Sequence, residues 1–238
     1  MSELLEWFRT TEDLVPQLLR HLQLSFVPLI LAMVVALPVG LYIGHARRLE
    51  FAVVTIANLG RAIPSFAILA LALPLSIELG LGLGFWPTVS ALFLLSLPPL
   101  ITNTYIGVKG VDPDTVEAAR GMGLSGLQIL KSIELPLAVP LMVTGIRTAA
   151  VQCVATATLA SLVAGGGLGD YIRLGIRTGN DQATVGGALL VAALALGTDF
   201  FFSRIERVVS PKTGAPRPPS RVEPIEEIVQ LPRPADAF

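Results

Sequence analysis

Three charged residues fall inside long apolar stretches of this 238-residue sequence: Arg61, Arg147 and Asp199. A charge in a bilayer interior is costly and is kept where it meets a partner or a watery cavity. Two chemistries are open to this set. One is an ion pair joining Asp199 to Arg147 or Arg61; the other is a gate near the inner end of the spans. Two of the three are positive, so they are poorly suited to holding a cation. The remaining reactive inventory is short. His21 and His45 lie far apart in the chain, and the one cysteine, Cys153, allows no intrachain disulfide and no cysteine-built metal cluster. No Ser–His, paired-Asp or His-Glu-x-x-His set lies in the apolar stretches, which argues against an intramembrane enzyme. The glycine run 165–169 has no strand before it and no Lys-Ser/Thr after it, so it does not read as a phosphate cradle. It reads as a turn ahead of residues 170–182, and a contact with another protein on that face is compatible with it.

These groups must be positioned by membrane-spanning helices. Hydrophobic residues make up 53% of the chain and charged residues 15%, against about 25% charged in a soluble domain. Mean hydropathy is +0.69. With 17 basic and 18 acidic residues there is no basic field for nucleic acid. Five stretches reach the roughly 20 apolar residues that a crossing needs: 22–44, 51–77, 85–108, 137–164 and 183–202. Lipid leaves no partner for open backbone groups, so each is expected to be helical. The fold class is therefore all-α, a polytopic bundle of about five helices. Pro64 can break the second run and change the crossing count. Eleven Lys and Arg residues lie on one side of the spans and four on the other, which places the N-terminus outside and the C-terminus in the cytoplasm.

Residues 1–20 read as an outer amphipathic lead-in with Trp7 and Phe8 suited to the interface, residues 21–208 as the membrane domain, and residues 209–238 as a Pro-rich disordered cytoplasmic tail. Polar groups on the apolar runs, among them Ser65, Asn103, Tyr105, Gln152 and Thr156, serve either interhelical hydrogen bonds or a pathway. Ser65, Asn103, Tyr105 and Thr156 join Arg61, Arg147 and Asp199 as pathway or gate candidates. Pro28, Pro38, Pro64, Pro74, Pro98 and Pro99 suit helices that bend or break around a path.

The cytoplasmic segment 109–136 has its own structure code. Asp112-Pro113 starts a helix, with a capping side chain and a proline at the first helical position. Asp114 and Glu117 suit its dipole. Gly121 and Gly123 stop it, and Ser125 with Gln128 opens a second short helix that is expected to end near Leu135-Pro136. The result is helix, glycine elbow, helix, with the Ala118-Ala119 pair as a small surface for close approach. It either docks another protein or rests on the membrane surface.

Glu117-Ala118-Ala119, three residues, Gly123, nine residues, Ile133, one residue and Leu135-Pro136 resemble the EAA loop of permease subunits of type I bacterial ABC importers. The likeness covers roughly residues 15–208. The words Arg61-Ala62-Ile63-Pro64-Ser65, Asn103-Thr104-Tyr105 and Gly145-Ile146-Arg147-Thr148 resemble the osmoprotectant branch, which imports glycine betaine, choline and carnitine. Importers of methionine and other small solutes share the architecture and are the alternative. The resemblance implies that Glu117, Ala118, Ala119, Arg120, Gly121, Met122 and Gly123 couple to a separate ATPase, which binds the ATP, so that this chain is not itself an enzyme and carries no cofactor or metal. It further implies a second permease subunit, identical or not, an extracytoplasmic solute-binding protein, and a place in the bacterial cell membrane. A secondary transporter has no use for such a loop and usually shows internal repeats, which are not seen here.

Overall fold

The protein is described by a computed structural model over residues 2–47, 51, 53, 55 and 62–210. The helices are α1 (Ser2–Thr10), α2 (Leu14–Ala46), α3 (Ser65–Glu78), α4 (Phe85–Lys109), α5 (Pro113–Gly121), α6 (Gly126–Ile129), α7 (Leu135–Thr156), α8 (Gly169–Thr178) and α9 (Asp181–Val209). Among the described residues, four segments are long and apolar enough to cross a membrane: Leu14–Ala46, Phe85–Lys109, Gly126–Val163 and Asp181–Val209. The second apolar run is divided at Pro64, whose extended backbone (ψ 132°) precedes α3. At 14 residues α3 is about 21 Å long, short of the roughly 30 Å hydrocarbon layer. Arg61 lies outside the described residues, as does the tail from 211.

Two boundaries differ from expectation. The second loop helix does not end at Leu135-Pro136. A π turn at Leu130–Glu134, in which the Leu135 amide donates to the Leu130 carbonyl, carries the chain from α6 straight into α7. That wider turn shifts the preceding carbonyls where an α-helix would collide with the Pro136 ring. The stretch 1–20 also divides, since residues from Leu14 onward already belong to α2. At the far end, α7 tightens into a 3-10 segment, Ala157–Val163.

The bundle is built on α2, α4 and α7, with α4 packed along both of the others and α9 along α7. The α2 face towards α4 carries a small residue every fourth position: Ala32, Ala36, Gly40 and Gly44, all buried. This spacing keeps them on one stripe and lets the backbones approach closely. A Cβ at Gly40 would stand 2.7 Å from the Thr104 Cβ, and one at Gly44 2.7 Å from the Val108 Cβ. On the opposite side of α4, Gly145 of α7 leaves room for Asn103. Leu24, Leu29, Leu92, Leu95 and Leu100 fill the core between these contacts.

At the end of the bundle away from α5, α1 lies against α8 and α9. The Trp7 ring covers Gly186 and meets Tyr171 edge-on at 5.2 Å. The Tyr171 hydroxyl donates to Asp13 at 2.7 Å, and burial together with that carboxylate holds the phenol above its ordinary range. The glycine run is pinned. Gln17 accepts from the Gly167 amide at 2.7 Å, and Arg20 donates to the Gly165 carbonyl at 2.9 Å.

Gly40→Ala is expected to destabilise the bundle by about 1–3 kcal/mol through overpacking. The same exchange at Gly197, where a Cβ meets nothing within 4 Å, is expected to be neutral or slightly stabilising. Thermal unfolding of the detergent-solubilised protein checks this, as a midpoint lower by several degrees for the first variant alone.

Candidate functional site

The loop between α4 and α7 folds on its own small core. Val111, Val116, Ala119 and Ile129 are buried together, with Leu124 and Ile133 packed against them. Asp112 caps α5 by accepting from the Asp114 amide at 3.1 Å. At the other end the Leu124 amide donates to the Ala119 carbonyl and the Gly123 amide to the Arg120 carbonyl, with Gly123 at φ +86°. This is the paired-bond C-cap in which a left-handed residue turns the chain, and Leu124 closes it by packing back towards Ala119. Ser125 and Gln128 form the reciprocal capping box, the Ser125 amide donating to the Gln128 side chain at 2.7 Å. The loop is therefore rigid by local rules at each of its ends.

The loop core sorts the seven coupling candidates. Glu117, Ala118, Arg120, Gly121, Met122 and Gly123 are exposed. Ala119 is 1% exposed and faces the loop's own core, so the small surface available to a partner is that of Ala118. Met122 and Leu127 are large exposed apolar side chains on the same loop, and Leu127 was not among the sequence candidates. Beside α5, Arg47, Pro113, Val116, Glu117, Arg120 and Gly121 line a surface cleft of about 560 Å³.

A second cleft, of about 640 Å³, lies at the level of Pro98 and Pro99, near the middle of α4. Three sequence candidates meet there: Ser65 from the start of α3, Asn103 from α4 and Thr156 from the end of α7. Thr102, Thr148 and Gln152 add further neutral polar groups, and Ile63, Pro64 and Leu95 supply apolar wall. Among the described residues, none that lines it is ionisable. The Asn103 amide donates to the Pro99 carbonyl at 2.8 Å, so its oxygen is left as the open acceptor. Thr148 likewise commits its proton to the Thr144 carbonyl.

The other candidates lie elsewhere. Tyr105 is buried with Ile43 and Val53, with the Lys109 ammonium 5.5 Å from its ring centre. Arg147 and Asp199 form a two-pronged pair, Nε to Oδ1 at 2.7 Å and a terminal nitrogen to Oδ2 at 2.9 Å. Of the two readings open to these charges, the pairing with Arg147 is the arrangement present. Arg147 also donates to Glu206 at 2.9 Å, and Glu206 accepts from Thr144 at 2.7 Å. Sequence reasoning missed Glu206 because it lies beyond residue 202. The signal was its seven-residue spacing from Asp199, which puts both carboxylates on one face of α9.

Residues 36–214 match the family described as the binding-protein-dependent transport system inner membrane component. The chain is 36% identical over 213 residues to the glycine betaine/carnitine/choline transport system permease protein OpuCB of Bacillus subtilis (strain 168), covering 89% of this chain and 96% of that one. It is 34% identical over 212 residues to the choline transport system permease protein OpuBB of the same organism, covering 89% and 95%. Among solved structures, an inward-facing form of the MetNI methionine ABC transporter superposes with a TM-score of 0.75 at 23% identity, covering 85% of this chain and 98% of that one.

Two substitutions test the geometry. Gly123→Ala forces a side chain into the left-handed region at about 1–2 kcal/mol and is expected to loosen the loop, read as faster amide exchange over 117–130. Arg147→Met leaves Asp199 and Glu206 facing each other without a cation and is expected to lower the thermal midpoint. Adding Asp199→Asn and Glu206→Gln is expected to recover most of that loss, because it is the unpaired charge that destabilises.

Proposed function

The chain belongs to the family of binding-protein-dependent transport system inner membrane components, as a multi-pass membrane permease of an ABC importer, and from that premise we propose that it forms the path for quaternary-amine osmoprotectants: glycine betaine, choline and carnitine. The observation that carries the substrate class is that curated relatives matching nearly the whole chain are named for those solutes. The methionine alternative is not favoured, since that likeness is one of fold.

The chemistry of the mid-membrane cleft supports this reading. A trimethylammonium group has no N–H to donate, so it needs no fixed acceptor and gains from many weak contacts. Ser65, Thr102, Asn103, Thr148, Gln152 and Thr156 offer neutral oxygens and amides between apolar walls. With no ionisable group in the lining, the solute can be passed on without being held. Tight recognition then falls to a separate solute-binding protein on the outer side, through cation–π attraction in an aromatic cage.

Energy enters at the loop. Its exposed residues Glu117, Ala118, Arg120, Gly121 and Met122 seat in a separate ATPase subunit, which binds and hydrolyses the ATP. A second permease subunit supplies the other half of the pore. Closure of the ATPase pair draws the two loops together and turns the helices outward, and hydrolysis resets them. The excess of basic residues at the loop side supports an outer N-terminus and a cytoplasmic C-terminus.

Uptake of radiolabelled glycine betaine, choline, carnitine and methionine, in cells carrying the complete transporter with or without this subunit, tests the reading. The expected result is uptake of at least one quaternary amine that disappears with the subunit. Dependence for methionine alone overturns the substrate class.

A further inference from the structure

The inner end of α2 holds both roots of the coupling loop. Where the loop begins, an Arg47 terminal nitrogen donates to the Val111 carbonyl at 3.2 Å, one residue before the α5 cap. Where the loop ends, the His45 ring bonds through Nδ1 to the Glu134 carboxylate in the π turn. Glu134 is 1% exposed. A carboxylate at that depth is tolerated only with a partner, and His45 is the partner recorded for it in the described residues. The far side of the ring rests on the loop's second helix, since a Cβ at Gly126 would stand 3.2 Å from the His45 Nε2. Glu134 occupies the unspecified position between Ile133 and Leu135 in the EAA pattern, so the motif itself does not assign it a role.

The other end of the same helix is tied as well. Gln17 and Arg20 bond to the outer turn at Gly167 and Gly165, and the His21 ring bonds to the Val154 carbonyl of α7. The 33 residues of α2 thus form one continuous helix, about 50 Å along its path and carrying Pro28 and Pro38, fixed to the coupling loop at one end and to the outer turn at the other.

We propose that His45, through its bond to Glu134, is the positioning residue that delivers displacement of the coupling loop to α2 and so to the outer face. A pull on α5 shifts both loop roots. With the clamp intact α2 must follow, and the turn held by Gln17 and Arg20 moves with it. With the clamp broken the loop still seats in the ATPase, but its movement reaches the bundle only through the α6–α7 junction. The inference rests on the importer reading above.

The test is a ratio measured on the complete transporter in proteoliposomes: solute uptake per ATP hydrolysed. His45→Leu removes the donor and is expected to lower the ratio at least tenfold while basal ATPase activity stays within twofold. His45→Asn, whose amide nitrogen takes the place of Nδ1, is expected to restore the ratio to within threefold. The double variant His45→Leu/Glu134→Leu is expected to match the single one. It also supplies the readout should the single variant not accumulate, because no buried carboxylate is then left unpaired. A ratio within twofold of the unaltered protein in the leucine variants overturns the proposal. So does a proportional fall in uptake and ATPase activity, or an asparagine variant as impaired as the leucine one. Failure of the importer reading looks different: ATPase activity of the unaltered complex would then be indifferent to Glu117→Ala.

Discussion

In a bilayer the lipid offers no hydrophobic reward for pressing two helices together, so the distance to which their backbones can approach decides what holds. Here that constraint is met along one stripe. Ala32, Ala36, Gly40 and Gly44 let α2 lie against α4, with the Thr104 and Val108 side chains seated on the two glycines. On its other side α4 receives α7 at Gly107 and Gly145. Three helices in such contact form the frame of the bundle. The elements with chemistry to perform, α3, the loop and α9, are attached around it.

The prolines of α4 work against that order in one place. Pro98 and Pro99 have no N–H, so the carbonyls of Leu94 and Leu95 lose their helical donors. Asn103 turns its amide back onto the Pro99 carbonyl, and Pro64 delays the start of α3 until Ser65. Close packing is interrupted at this level, and the cleft opens there. Close approach on one face of α4 and interrupted hydrogen bonding in its middle are two halves of one arrangement. The first fixes the wall from which the second is cut.

The loop was legible in the sequence because its rules are local. Asp112-Pro113, Gly123 and the Ser125–Gln128 pair each act within a few residues, and each makes the cap that its chemistry dictates. What needed the third dimension was less legible. Ala119 shares a motif with Ala118 but faces inward, since a nine-residue helix over a four-residue core must bury one of them. Pro136 reads as a helix stop, and a π turn with no sequence signature carries the chain past it. Tyr105 and Asn103 stand two apart on α4, which puts them on different faces, so only one could reach the cleft. The stripe on α2 was present as a four-residue repeat, hidden among other apolar residues whose size differs more than their polarity.

The charges show why the cleft can stay neutral. Arg147 and Thr148 are neighbours on α7, and one step along a helix turns the side chain by about 100°. Thr148 lines the cleft, while Arg147 faces α9 and is taken up by Asp199 and Glu206. The same helix thus carries a wall of the cleft on one face and an ionic anchor on the other, and the anchor turns the Arg147 guanidinium away from the cleft. Gly126–Val163 is continuous from the loop through both features. Thr148, Gln152 and Thr156 therefore share one helix with the loop, whereas Asn103 belongs to α4. The cleft thus has one wall continuous with the loop and another on α4, the helix packed against both α2 and α7.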